Sequence, residues 1–164
     1  MLLSYLAGFF DGEGSVGVWV SDRAFRVNIA VVGVNRASIY LFHETFGGSI
    51  ARRQGRKVNH RDFWHWQTHG TRARNVLVEL IPYLRLKRPQ AIEAIKVPIY
   101  ERGVHRSASE KMEVALIAER IKAMKWATEP PDLPSVAVKE ESEIIRSLWD
   151  DDLYVAGPAI ASVA

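Results

Sequence analysis

An almost unbroken apolar run, Leu2 to Phe10, stops at two acids, Asp11 and Glu13, set among Gly8, Gly12 and Gly14. No other stretch constrains the fold so tightly. Its apolar residues nearly encircle a helix, which predicts burial on more than one side. The acids fall at the helix C-terminus, where unsatisfied carbonyls already concentrate negative charge. Carboxylates there are unfavourable unless a cation joins them, and clustered hard oxygens suit magnesium or calcium. A glycine-rich cap accounts for Gly12 or Gly14 but not for two acids at the wrong end. Ala7, Gly8 and Gly12 would let a second helix approach closely, bringing two Glu13 carboxylates together. The run is too short to span a bilayer and has no basic flank, which predicts a soluble, intracellular chain, in cytoplasm, nucleoid or organelle, with no membrane partner.

Hydrophobic period supplies the following elements. Ser15 to Ser21 alternates, with Val16, Val18 and Val20 on one face. Phe25 to Val34 alternates again, with Phe25, Val27, Ile29 and Val31 inward and Arg26, Asn28, Ala30 and Val32 outward. Asn35 suits a helix N-cap, Phe46 precedes a Gly47-Gly48 stop, and Ser49–Arg53 and Phe63–His69 read as two further strands. A helix from Thr71 or Asn75 to Leu84 and another opening near Pro89 complete an αββαββα order, α+β with an antiparallel sheet, one face wet. Glu110 to Trp126 predicts an amphipathic helix. Residues 1–126 then form the core domain. Residues 127–164 form a proline-containing linker, a short acidic helix over Lys139–Asp150 and a tail.

Charge divides along the chain. Residues 1–106 hold 16 Lys/Arg against 8 Asp/Glu, whereas 107–164 hold 6 against 11. Between Ser49 and Arg74 stand Arg52, Arg53, Arg56, Lys57, Arg61, Arg72 and Arg74 against Asp62 alone, a density that points to nucleic acid. The wet sheet face carries side chains that read base edges: Trp19, Arg26, Asn28, Arg53, His65 and Gln67. Ser21 and Arg23 at the first hairpin, with Arg52, Arg56 and Arg61 around the basic loop, extend this candidate DNA surface. A ten-residue second strand spans about 33 Å, enough to track about ten base pairs, or about twenty for two subunits. The chain has no cysteine, so neither disulfides nor thiolate metal sites arise.

Leu6-Ala-Gly-Phe-Phe-Asp-Gly-Glu-Gly14 resembles the LAGLIDADG motif. Leu80-Ile-Pro-Tyr-Leu-Arg-Leu-Lys-Arg-Pro-Gln-Ala91 is similar to that family's L-x-P-Y-L-x-x-K-x-x-Q-A segment, and Trp64-His65-Trp66 with Gly70 to its last strand. The resemblance covers residues 1 to about 100 in order. It implies a homing endonuclease with a saddle-shaped sheet and additional C-terminal helices. One motif per chain implies a homodimer making metal-dependent double-strand breaks in a long, near-palindromic DNA target, in the setting of intron homing. Glu13, with the Gly12 carbonyl, would hold Mg2+, for which Ca2+ or Mn2+ could substitute. Lys87 would act in the catalytic pocket, with Gln90 supporting and Asn35 near the outer pocket, while Asp11 would brace the helix end. Leu3, Leu6, Ala7, Gly8, Phe10 and Asp11 would form the dimer interface. Two rivals share the fold: a maturase binding intron RNA, and a non-cleaving DNA-binding regulator.

Three formal matches fail on context. Gly12-x-Gly14-x-x-Gly17 joins a helix to a strand, the reverse of a dinucleotide-binding turn. His60-Arg-Asp62 has no downstream kinase elements. His65 and His69 have no adjoining Glu for a zinc helix.

Overall fold

The computed structural model describes residues 1–21, 24–55, 61–99 and 107–125, with the side chains of 20, 21 and 24 left aside. All of these fall within the unit Met1–Pro130. The acidic helix, linker and tail anticipated over 127–164 lie outside the described residues, as do Arg23 and Arg56.

Helix α1 (Leu2–Glu13) runs into strand β1 (Gly14–Ser21), followed by β2 (Ala24–Gly33), α2 (Arg36–Phe46), β3 (Ser49–Arg53), β4 (Phe63–His69), α3 (Thr71–Leu80), a 3-10 turn (Ile81–Tyr83), α4 (Arg88–Ile95) and α5 (Ala108–Lys125). The four strands form one antiparallel sheet in the order β1-β2-β4-β3. This is the expected αββαββα architecture.

Alternation settles which face is buried. Val16, Phe25, Val27, Ile29, Val31 and Trp66 turn inward beneath the helices. Trp66 is fully enclosed, its ring 5.2 Å from Phe42, and its indole Nε1–H donates to the Gly47 carbonyl at 2.7 Å. Burying a large ring while satisfying its polar handle contributes about 3 kcal/mol or more. Asn35 caps α2 as anticipated, its side chain accepting from the Ser38 N–H at 3.3 Å.

One helix end agrees with expectation and one differs. α1 runs through Gly12 and ends at Glu13, so both acids fall at its C-terminus as anticipated. The chain turns at Gly14, where a Cβ would lie 2.4 Å from the Phe10 carbonyl oxygen; only glycine fits that approach. α3 ends at Leu80 rather than Leu84. Pro82 has no N–H to return to the preceding turn, so the backbone tightens into the 3-10 turn.

Helix α5 packs on β1 and α4, burying Val114, Ile117 and Ile121. Glu93 of α4 is 6% exposed and bridges Lys96, at 2.7 Å, and Arg120 of α5. Burial alone would raise the Glu93 pKa. The hydrogen bonds and charges of Lys96 and Arg120 outweigh it and hold the carboxyl below its usual value of 4.5.

Candidate functional site: an acidic helix end beside a polar sheet face

Asp11 and Glu13 have opposite fates. The Asp11 carboxylate accepts the backbone N–H of Arg85 at 2.7 Å and of Lys87 at 2.8 Å. The Lys87 ammonium donates to the Asp11 carbonyl. Asp11 therefore ties the end of α1 to the segment entering α4, a contact of the kind the resemblance implied for it. Glu13, two residues on, is exposed. Burial lowers the Lys87 pKa, while the charges of Asp11 and Glu13 oppose that shift. Lys87 is thus a half-buried cation anchored on the Asp11 carbonyl, with the charges of both motif acids acting on it.

Among the described residues, no three of His, Cys, Asp and Glu gather as a metal site. One chain offers Glu13 and carbonyl oxygens at the end of α1, hard donors of the kind magnesium and calcium prefer, but only one free carboxylate. The donor chemistry suits a divalent cation but supplies only part of its ligand shell.

The predicted interface on α1 needs correction. Leu6, Ala7 and Phe10 are fully buried within the chain, so they have no surface left for a second copy. The Asp11 carboxylate is likewise engaged internally. A run apolar on all sides does not reveal which arc its own core consumes. Leu3 is partly buried, while Ser4, Gly8 and Gly12, one turn apart, form the exposed stripe beside Met1 and Tyr5. A Cβ on Gly8 or Gly12 would meet nothing within 4 Å.

The wet face assembles in rows. Trp19 lies opposite Arg26, Gly17 opposite Asn28 and Ser15 opposite Ala30. Asn28 in turn faces His69, Ala30 faces Gln67 and Val32 faces His65. Ser49 faces Gln67, Ala51 faces His65 and Arg53 faces Phe63. Trp19 is 68% exposed, and Arg26, Arg53 and Gln67 are also open. Burial first, and the Arg53 charge second, lower the His65 pKa; the ring is neutral at pH 7 and offers one donor and one acceptor.

Several candidates sit elsewhere. Arg52 pairs with Trp64 on the opposite face, and its guanidinium bonds Asp62 at 2.7 Å. It does not belong to the polar row. Arg61 is exposed just before β4. Ser21 closes β1, its side chain outside the description. Asn35 has its carbonyl oxygen engaged as a cap. Gln90 is 8% exposed, an interior residue of α4 rather than a surface one. His69, passed over as part of a failed zinc pattern, stands opposite Asn28; continuing the alternation two residues past Gln67 finds it.

The fold is that of the LAGLIDADG homing endonucleases. One similar structure is the homing endonuclease I-CvuI in complex with the I-CreI target and Mg, with uncleaved DNA: TM-score 0.61, 23% identity, over 88% of this chain and 94% of that one. The archaeal intron-encoded I-Vdi141I complexed with DNA gives 0.60 at 16% identity, over 90% and 96%. The LAGLIDADG enzyme I-GzeII with its DNA target gives 0.50 at 15%, over 87% of this chain and 49% of that one. No protein-family profile and no curated protein sequence matches the chain. No helix among the described residues is long and apolar enough to cross a membrane.

Proposed function

We propose that this chain is a site-specific DNA endonuclease that works as a homodimer on a long, near-palindromic duplex and breaks both strands with a divalent cation. One observation carries the reading: of the two acids ending α1, one is locked into the fold and the other, Glu13, is left free beside a half-buried Lys87. A structural motif would use both acids. The similar structures contain DNA, and those of I-CvuI also contain Mg or Ca.

Glu13 and the Gly12 carbonyl would hold Mg2+ jointly with their counterparts in a second copy. When bound, the cation supplies a more acidic water and charge stabilisation for the leaving oxygen. The chain's own residues do the rest. Two Glu13 carboxylates brought together repel, which makes cation capture favourable. Lys87, held by Asp11, keeps a positive charge facing developing phosphate charge. The stripe Ser4, Gly8 and Gly12 admits a second α1, keeping Gly8 and Gly12 of the first expectation and replacing the buried Ala7 with Ser4. Trp19, Arg26, Asn28, Arg53, His65, Gln67 and His69 would meet the groove, Arg favouring guanine and Asn or Gln adenine.

The test is a Glu13→Gln variant assayed on a duplex selected by the wild type from a random pool. Cleavage should vanish while sequence-selective binding persists. Normal cutting by Glu13→Gln removes the assignment. Wild-type binding without cutting in Mg2+ or Mn2+ selects the regulator, and preference for structured intron RNA over duplex selects the maturase.

A further inference from the structure

Gly17 lies on the polar face of β1, between Ser15 and Trp19, and pairs with Asn28, which pairs with His69. It interrupts the row with a missing side chain. The space above it is not simply open: the ammonium of Lys125 lies 3.8 Å from the point a Gly17 Cβ would occupy. That cation comes from the last residue of α5, a helix that otherwise packs on α4 and β1.

The approach is anchored. Ile117 and Ile121 fix the second half of α5 in the core, and Arg120 is bound to the buried Glu93. Lys122 stands 3.7 Å from Glu119. Among the described residues, no carboxylate pairs with Lys125. Its position at a helix C-terminus suits a cation in any case, but that alone does not bring the ammonium over Gly17.

Strand β1 is an edge of the sheet. A duplex lying on the face would bring phosphates as well as base edges within reach of an edge strand. An ammonium is a compact charge on a flexible stem, without the planar fork that reads a base. Such groups position DNA through phosphate rather than specify sequence.

Resting on the DNA-binding reading above, we propose that Lys125 is a DNA-phosphate contact delivered from α5 to the polar sheet face, its ammonium seated beside Gly17. The surface thus gains a cation from the region in which acids predominate.

The experiment measures duplex affinity against salt for wild type, Lys125→Gln, Lys125→Arg and Gly17→Val in the full chain, on a random duplex and on the best duplex selected from it. Lys125→Gln should lower the slope of log affinity against log salt by about one per bound subunit, roughly a fivefold loss per subunit near 0.15 M salt. The loss should be equal on both duplexes, with an unchanged melting temperature. Lys125→Arg should restore it, and Gly17→Val, which fills the ammonium's place, should reproduce it. Unchanged slope and affinity in Lys125→Gln, with wild type still binding, overturns the Lys125 assignment and leaves the DNA reading intact. Weaker binding with a lowered melting temperature and unchanged slope assigns Lys125 to the end of α5, and also overturns it. A wild type with no salt-dependent duplex binding overturns the DNA reading, and this inference with it.

Discussion

At the scale of single residues, the two acids of the first helix meet different surroundings, Asp11 tied into the fold and Glu13 exposed. The Asp11 carboxylate receives two backbone N–H groups from the segment before α4, and charged hydrogen bonds of this kind are worth more than neutral ones. Asp11→Ala should therefore cost about 2 kcal/mol in urea unfolding, with Asp11→Asn costing less because one acceptor remains. Lys87 has a different signature. Its ammonium touches only the Asp11 carbonyl among the described hydrogen bonds, so its value lies in its charge. Lys87→Met, which keeps the stem, should reduce single-turnover cleavage by about a hundredfold or more while duplex affinity falls far less. Equal losses in both would make Lys87 a binding or structural residue. The resemblance assigns Asp11 a bracing role and Glu13 a metal-holding one, yet the residues by themselves do not separate the two acids. That division depends on backbone groups 74 and 76 positions away.

Among the elements, alternation was a dependable guide wherever a strand has one dry face. Val16, Val27, Ile29 and Val31 are all buried, and the ends of β3 and β4 fall where the pattern predicts. It gave less on β3, where Arg52 and Arg53 are adjacent and equally polar, and only pairing with Trp64 and Phe63 separates them. Helix ends were legible where a side chain or positive φ enforces them, as at Asn35 and Gly47. They were missed where the cause is local backbone geometry, as at Pro82. The α4–α5 junction was not foreseen at all, because Glu93 and Arg120 are distant in sequence and unremarkable in composition. Its behaviour with acid follows from the direction of the Glu93 shift. A carboxyl whose folded pKa is depressed contributes stability above its unfolded value, and that contribution is lost as pH falls through the folded one. Unfolding in urea should show this loss below about pH 4.5. Glu93→Gln should flatten that part of the profile and cost about 1 kcal/mol at pH 7, discounted because Lys96 and Arg120 are themselves half exposed.

At the level of the whole molecule, the described residues hold a buried core and a sheet face that no described helix covers, but only half of the acidic centre proposed for the chain. The bare stripe on α1 is where a second copy would complete it. Gly8→Val puts a branched side chain on an exposed position whose Cβ would meet nothing within 4 Å. Helix propensity alone argues that folding is unharmed. By analytical ultracentrifugation Gly8→Val should remain monomeric under conditions that dimerise wild type, and its footprint should shrink from about twenty base pairs to about ten. A wild type that stays single on DNA would contradict the arrangement. Splitting a cutting centre between two molecules also sets a dose rule. Joined copies scale with the square of free copies when both are scarce, so breakage would stay negligible at low expression and climb steeply beyond a threshold. On the proposed reading, stray single molecules would then leave the host genome uncut.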